Sequence, residues 1–215
     1  QKADNETASL KRIVFDEGHH LFDAADSAFS AALSGAESAE MRRWIRGPEG
    51  RGRRGRGLEQ RLLEIVGAGE DARHALQDAI RAAGALPGEG WSGRIAPPDG
   101  GVNPQGPVEA FLVAAMEQMR ARASQSDQGM ECAARPATDL VRQTAAEAAR
   151  ALAAVEAPLL ALARHLEDVL DQESDELQTS DRARIEGALR GLDRRARMTL
   201  PAWRSMLKAI EEDAE

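Results

Sequence analysis

Thr138-Asp139-Leu140-Val141-Arg142-Gln143-Thr144-Ala145-Ala146-Glu147-Ala148-Ala149-Arg150-Ala151-Leu152 opens the longest periodic stretch of the chain, which continues to about residue 172. Its apolar positions are Leu140, Val141, Thr144, Ala148, Leu152, Val155, Leu159, Leu162, Leu166 and Val169. They recur every three or four residues, the spacing that places side chains on one helical face. The period drifts from a strict heptad, so the stretch predicts a core helix rather than a coiled coil. Pro158 lies inside it and is expected to kink or divide it, since proline lacks an amide hydrogen and crowds the preceding turn.

Working outward, shorter stripes carry the same period. On the C-terminal side, Ser180 is read as the cap of a helix with Ile185, Leu189 and Leu192, and a last helix opens near Pro201 with Trp203, Met206, Leu207 and Ile210. On the N-terminal side, Val108, Phe111, Leu112, Ala115, Met116 and Met119 follow Pro107, a residue favourable in a first helical turn. Ala72 to Ala83 and Leu58 to Val66 give two more stripes. Ser38 is read as the cap of a helix bearing Met41, Trp44 and Ile45, after a stop at Gly35. Residues 84–107 hold five prolines and seven glycines and are expected to be an excursion or flexible linker, with Trp91 and Ile95 as possible anchors. Composition agrees with a mostly α fold: aromatics are 3 % of 215 residues, tyrosine is absent, and alanine, leucine, arginine and glutamate dominate.

The exception is the N-terminus. Arg12-Ile13-Val14-Phe15-Asp16-Glu17-Gly18-His19-His20 reads as a short strand, residues 11–16, ending in two adjacent carboxylates, a glycine and a histidine. A buried strand of a P-loop ATPase ends this way at its nucleotide site. Two acids after an apolar run also begin ordinary exposed turns. The Gly-His pair and the helical stripe Leu21, Phe22, Ala25, Phe29 and Leu33 favour the ATPase reading. The adjacent histidines point to different faces of a helix, whereas the zincin pattern needs two histidines four apart.

The Asp-Glu-Gly-His quartet resembles the Asp-Glu-Ala-His Walker B box of superfamily 2 helicases, with Gly18 in the alanine slot. The helical, arginine-rich sequence behind it resembles the arch insertion of the DinG/XPD-like branch. The resemblance implies that Asp16 holds Mg²⁺ beside ATP, that Glu17 activates the attacking water, and that His19 couples nucleotide state to the motor. It also implies single-stranded DNA as the partner. The chain has no Gly-Lys phosphate loop, its only lysines being Lys2, Lys11 and Lys208. It is therefore expected to be part of a larger bacterial helicase, with residues 1–34 from the ATPase domain and 35–215 forming the helical arch-like insertion. By itself it is expected to be inactive.

Charge narrows the DNA-binding candidates. The net charge is −8, yet Arg42, Arg43, Arg46, Arg51, Arg53, Arg54, Arg56 and Arg61 face only Glu49 and Glu59, a local charge of +6. Such a segment suits a phosphate backbone, or is a solvated loop. Trp44 fits either a base-stacking face or the core stripe. A second basic run, Arg182 to Arg197, is interleaved with Asp181, Glu186 and Asp193 and reads as a helix surface with intrahelical ion pairs. His74, His165 and Cys132 lie outside any catalytic pattern. One cysteine excludes a disulfide framework and a self-contained Fe–S cluster, and suits a reducing cytoplasm. Nothing predicts a membrane span or an obligate oligomer. The rival reading is a non-enzymatic helical module that binds protein or nucleic acid, with a fortuitous Asp-Glu-Gly-His.

Overall fold

The computed structural model describes residues 18–21, 30–49, 57–66, 69–98, 100–122, 132–172 and 177–212. The chain divides into two compact units, residues 1–32 and 33–215. In the first, Gly18–His20 forms a 3₁₀ turn. The strand expected at 11–16 lies outside the described residues, as do Asp16 and Glu17.

The described parts of the second unit are helices and the connections between them, with no strand among them. Its helices are α1 (Gly35–Arg46), α2 (Leu58–Val66), α3 (Glu70–Ala82), α4 (Trp91–Ile95), α5 (Pro107–Arg122), α6 (Asp139–Gln172), α7 (Thr179–Leu192) and α8 (Leu200–Glu211). The axis of the unit is α6, 34 residues and about 50 Å long at 1.5 Å per residue. Helices α3, α5, α7 and α8 pack around it. Leu152, Val155, Leu159 and Leu162 are wholly buried, and Ala145, Ala148 and Ala163 between them leave room for neighbouring helices to approach. Pro158 does not divide the helix. One backbone hydrogen bond is lost there, and the buried residues on both sides hold the two halves to the same core.

The structure departs from the sequence reading at three joints. Helix α1 begins a turn earlier than expected. The Ser34 hydroxyl accepts from the Glu37 amide at 3.1 Å and is the cap, while Ser38 is buried and donates to the Ser34 carbonyl. Gly35, expected as a stop, opens the helix because a side chain there would strike the Trp91 ring. At the other end, α7 and α8 are not separate. A π-helical segment, Asp193–Thr199, joins them, with the Leu200 amide donating to the Arg195 carbonyl five residues back. Pro201 supplies the cause: the wider turn accommodates a ring that an α-helix would crowd.

The third departure is only from the flexible-linker alternative: the proline- and glycine-rich stretch is an ordered excursion, with Ile95 buried and Trp91 packed on Gly35 as the expected anchors. Leu86 and Ile95 are buried, α4 forms within it, and Gly90 and Gly106 adopt positive φ at its turns. Glu109 on α5 holds it down. This carboxylate is fully buried and accepts from Arg94 Nη2 at 2.5 Å, Arg94 Nε at 3.0 Å and the Gln105 amide at 2.7 Å. Arg94 also donates to the Glu89 carbonyl, and its own carbonyl accepts from the Asn103 amide. The hydrogen bonds to Glu109 hold the guanidinium above its ordinary pKa, against the opposing effect of burial.

Removing one partner of a buried pair leaves the other without compensation. Glu109→Ala is expected to destabilise the unit by about 3–5 kcal/mol, read from the urea midpoint. The double replacement Arg94→Met with Glu109→Leu should recover most of that loss. A cost no greater than that of disrupting the exposed Arg81–Asp78 pair would show that the clamp does not hold the segment.

Candidate nucleic-acid interface

The arginines of α1 divide by what lies beside them. Arg42 turns inward. Its Nε and Nη2 donate to Glu49 at 2.8 and 3.1 Å, and its Nη1 donates to the carbonyls of Gly84 and Leu86 at 2.9 and 2.7 Å. The fork is used up in joining α1 to the turn after α3, and Gly88 packs directly on it. Arg46 shares the same carboxylate, at 2.9 Å. Arg43 is exposed, and no carboxylate pairs with it among the described residues. Of the three arginines assigned to DNA on this helix, Arg43 is thus the one whose charge is not spent internally.

Arg51, Arg53, Arg54 and Arg56 lie outside the described residues. The two ends of their segment are defined. Gly47 closes α1 with φ +84°, its amide donating to the Arg43 carbonyl at 2.8 Å. Gly57 lies against it: a Cβ there would sit 2.5 Å from the Gly47 nitrogen and 2.6 Å from the Arg46 carbonyl carbon. Backbone meets backbone, so only glycine fits. Leu58 and Leu62 then bury α2 in the core. The described residues that flank the glycine–arginine segment, Gly47 and Gly57, thus meet backbone to backbone.

Trp44 is half-buried and packs against the core. Its ring packs on Gly191 of α7, where an added Cβ would lie 2.5 Å away. The Arg195 guanidinium lies over the ring, 4.3 Å from its centroid. Burial lowers the Arg195 pKa; Glu40 opposes that shift, while Arg194 and Arg61 add to it. An arginine side chain remains charged under such shifts. Trp44 thus serves as the platform of a cation–π contact within the protein.

The second basic run is partly neutralised, as its pattern indicated. Arg184 pairs with Asp181 at 3.2 Å, and Arg197 pairs with Asp193 at 2.8 Å and with Glu167 of α6 at 2.7 Å. Arg184 also donates to the Arg61 carbonyl at 3.0 Å, which fastens α7 to α2. Arg61 and Arg194 are exposed, and no ion pair engages either among the described residues. The hydrogen bond from Arg184 to the Arg61 carbonyl joins residues more than 120 positions apart and carries no local sequence signal.

Small-molecule chemistry finds less support in the described residues. A cleft beside α1 is lined by Arg42, Arg43, Glu49, Gly88 and Trp91, but Arg42 and Glu49 already satisfy one another. Among the described residues, every buried side-chain nitrogen and oxygen has a hydrogen-bond partner, and no three His, Cys, Asp or Glu side chains are placed to hold a metal. His19 is exposed on the 3₁₀ turn, and His74 and His165 show no such grouping. No helix among the described residues is long and apolar enough to cross a membrane. Comparison with family models, curated proteins and solved structures finds no match to this chain.

Proposed function

We propose that this chain is the Walker B element and arch-like insertion of a DinG/XPD-like, ATP-dependent DNA helicase. The observation that carries the reading is Asp16-Glu17-Gly18-His19 at the end of the apolar run Ile13-Val14-Phe15. The mostly helical body that follows, with no strand among the described residues, suits such an insertion, and the arginine-rich sequence between Gly47 and Gly57 suits a DNA backbone. In the intact enzyme Asp16 would hold Mg²⁺, which would supply neutralisation of the ATP phosphate charge; Glu17 would take the proton of the attacking water, and His19 would relay the state of the site to the rest of the motor. The helical body guides single-stranded DNA, with Arg43 and the segment 51–56 on its backbone.

ATPase activity of the intact protein, with and without single-stranded DNA, tests the motor assignment. Glu17→Gln should keep nucleotide binding and lose turnover by ~10²–10⁴-fold, the usual contribution of a general base. Near-normal DNA-stimulated turnover in that variant would rule the Walker B reading out and leave the helical module as a binding protein. The 215-residue chain alone should hydrolyse no ATP.

The DNA assignment has its own test. Replacing Arg51, Arg53, Arg54 and Arg56 with alanine should weaken binding to single-stranded DNA. It should also flatten the plot of log K against log salt by about 0.7 for each phosphate contact removed. Thermal stability should change little. Unchanged affinity and slope would make the segment a solvated loop.

A further inference from the structure

We propose that Arg42 and Arg46 form a phosphate-monoester site at the C-terminal end of α1, and that Glu49 occupies this site as an internal stand-in when no phosphate is bound. The site is argued from ordered side chains and does not depend on the helicase reading. Its ligand is a free phosphate or the terminal phosphate of a nucleic-acid strand, which share the same chemistry.

The first argument is convergence. Two guanidiniums meet on one carboxylate. Glu49 Oε2 accepts from Arg42 Nε at 2.8 Å; Oε1 accepts from Arg42 Nη2 at 3.1 Å and lies 2.9 Å from Arg46 Nε. Gly84 lets both forks come together. Its carbonyl accepts from Arg42 Nη1, and a Cβ on it would lie 3.3 Å from Arg46 Nη1. A planar fork with a second guanidinium beside it takes two oxygens of a phosphate in the same way as two oxygens of a carboxylate.

The second argument is that the arginines are fixed and their occupant is not. Arg42 is held independently of Glu49: Nη1 donates to the Gly84 and Leu86 carbonyls, and a Cβ on Gly88 would lie 3.1 Å from Arg42 Cζ. Both arginines belong to α1. Glu49 lies beyond the cap at Gly47, whose φ is +84°, so its carboxylate can leave without unwinding the helix. The Glu49 side chain is a third exposed. With Arg42 it lines two clefts, one of about 180 Å³ that Arg43 and Trp91 share, and one of about 450 Å³ that Arg94 and Gln105 share. A small anion in either cleft stands next to the fork.

The third argument is charge. Arg42, Arg43 and Arg46 bring three positive charges to this corner, against Glu49 and Glu89. The C-terminal end of α1 adds about half a negative charge, and the corner remains positive with Glu49 in place. A phosphate monoester carries about −1.5 to −2 and three acceptor oxygens. In place of Glu49 it brings the corner close to neutrality, and its third oxygen is left for Arg43 in the same cleft. A phosphodiester carries a single charge, like the carboxylate it would displace, and gains nothing by the exchange. The site therefore selects a terminal phosphate over an internal one.

The experiment titrates the 215-residue chain with inorganic phosphate at constant ionic strength and follows the Nε–Hε resonances of Arg42 and Arg46 by NMR. Glu49→Ala should bind phosphate about three- to tenfold more tightly than the wild type, because two half-exposed ion pairs no longer hold the site closed. Adding Arg46→Gln should remove that gain. Glu49→Gln, which keeps an acceptor for Arg42 without the charge, should show the same direction and replaces the alanine variant if that one loses its helical circular dichroism. The proposal is overturned if phosphate affinity is unchanged or lower in the folded Glu49 variants, as a purely structural carboxylate predicts, or if the gain survives Arg46→Gln. Anisotropy of labelled oligothymidylate with a 5′-phosphate or a 5′-hydroxyl, measured on Glu49→Ala, then names the source. Tighter binding of the 5′-phosphate form identifies a strand end, and equal binding of the two, with the phosphate gain intact, identifies a free phosphate. If no oligothymidylate binds, the DNA-binding reading falls and the phosphate titration still decides this site.

Discussion

Burial of the broad apolar face of α6, from Val141 to Leu166, is the constraint on which the rest depends. A chain with 3 % aromatic residues cannot fill a core with large rings. It fills this one with leucine and alanine, and that works only if helices come close. Ala145, Ala148 and Ala163 provide the approach, while Leu152, Leu159, Leu162 and Leu166 supply the apolar area. A fully buried leucine contributes roughly 1.5–3 kcal/mol, so four of them outweigh the single hydrogen bond that Pro158 removes. The helix therefore runs through its proline. The partners that close on it come from widely separated parts of the chain, which brings α2 and α7 together.

Apolar packing does not fix the connections, which are rich in glycine and proline. Polar side chains reaching from helices do that. Glu109 clamps residues 94–105, Arg42 clamps the turn at 84–86, and Gln118 and Arg122 hold the approach to α6. Gln118 donates to the Ala134 carbonyl and accepts from the Thr138 amide, so both ends of one buried amide are satisfied. Each clamp joins a rigid element to a backbone that forms few ladder bonds of its own. Removing the clamp, rather than altering the loop, is what would free these segments.

The long helices were legible because their information is local. Pro107–Arg122 and Asp139–Gln172 follow directly from apolar spacing and from where proline is tolerated. The stretch 84–107 was not legible. Its composition is that of a linker, and what folds it is a bond between residues 15 apart, Arg94 and Glu109, which no periodicity encodes. The same holds for Arg42. In sequence it is one of eight clustered arginines, and only the fold shows that its charge is spent on Glu49. Trp44 fitted two roles in the sequence, and the guanidinium above its ring decides between them. Asp16 and Glu17 stand differently: their meaning comes from the order of residues alone, and their chemistry has to be tested in solution.

The distribution of charge limits how this chain could meet a polyanion. A net charge of −8 repels a polyanion at long range, so this chain cannot bind DNA as a uniformly basic protein does. At physiological salt, fields decay over about 8 Å, and the acidic surface ceases to matter to a phosphate already in contact with a guanidinium. Among the described residues Arg43, Arg61 and Arg194 are exposed with no carboxylate in ion-pair contact, so a polyanion would be met at such positions and repelled over the acidic surface elsewhere.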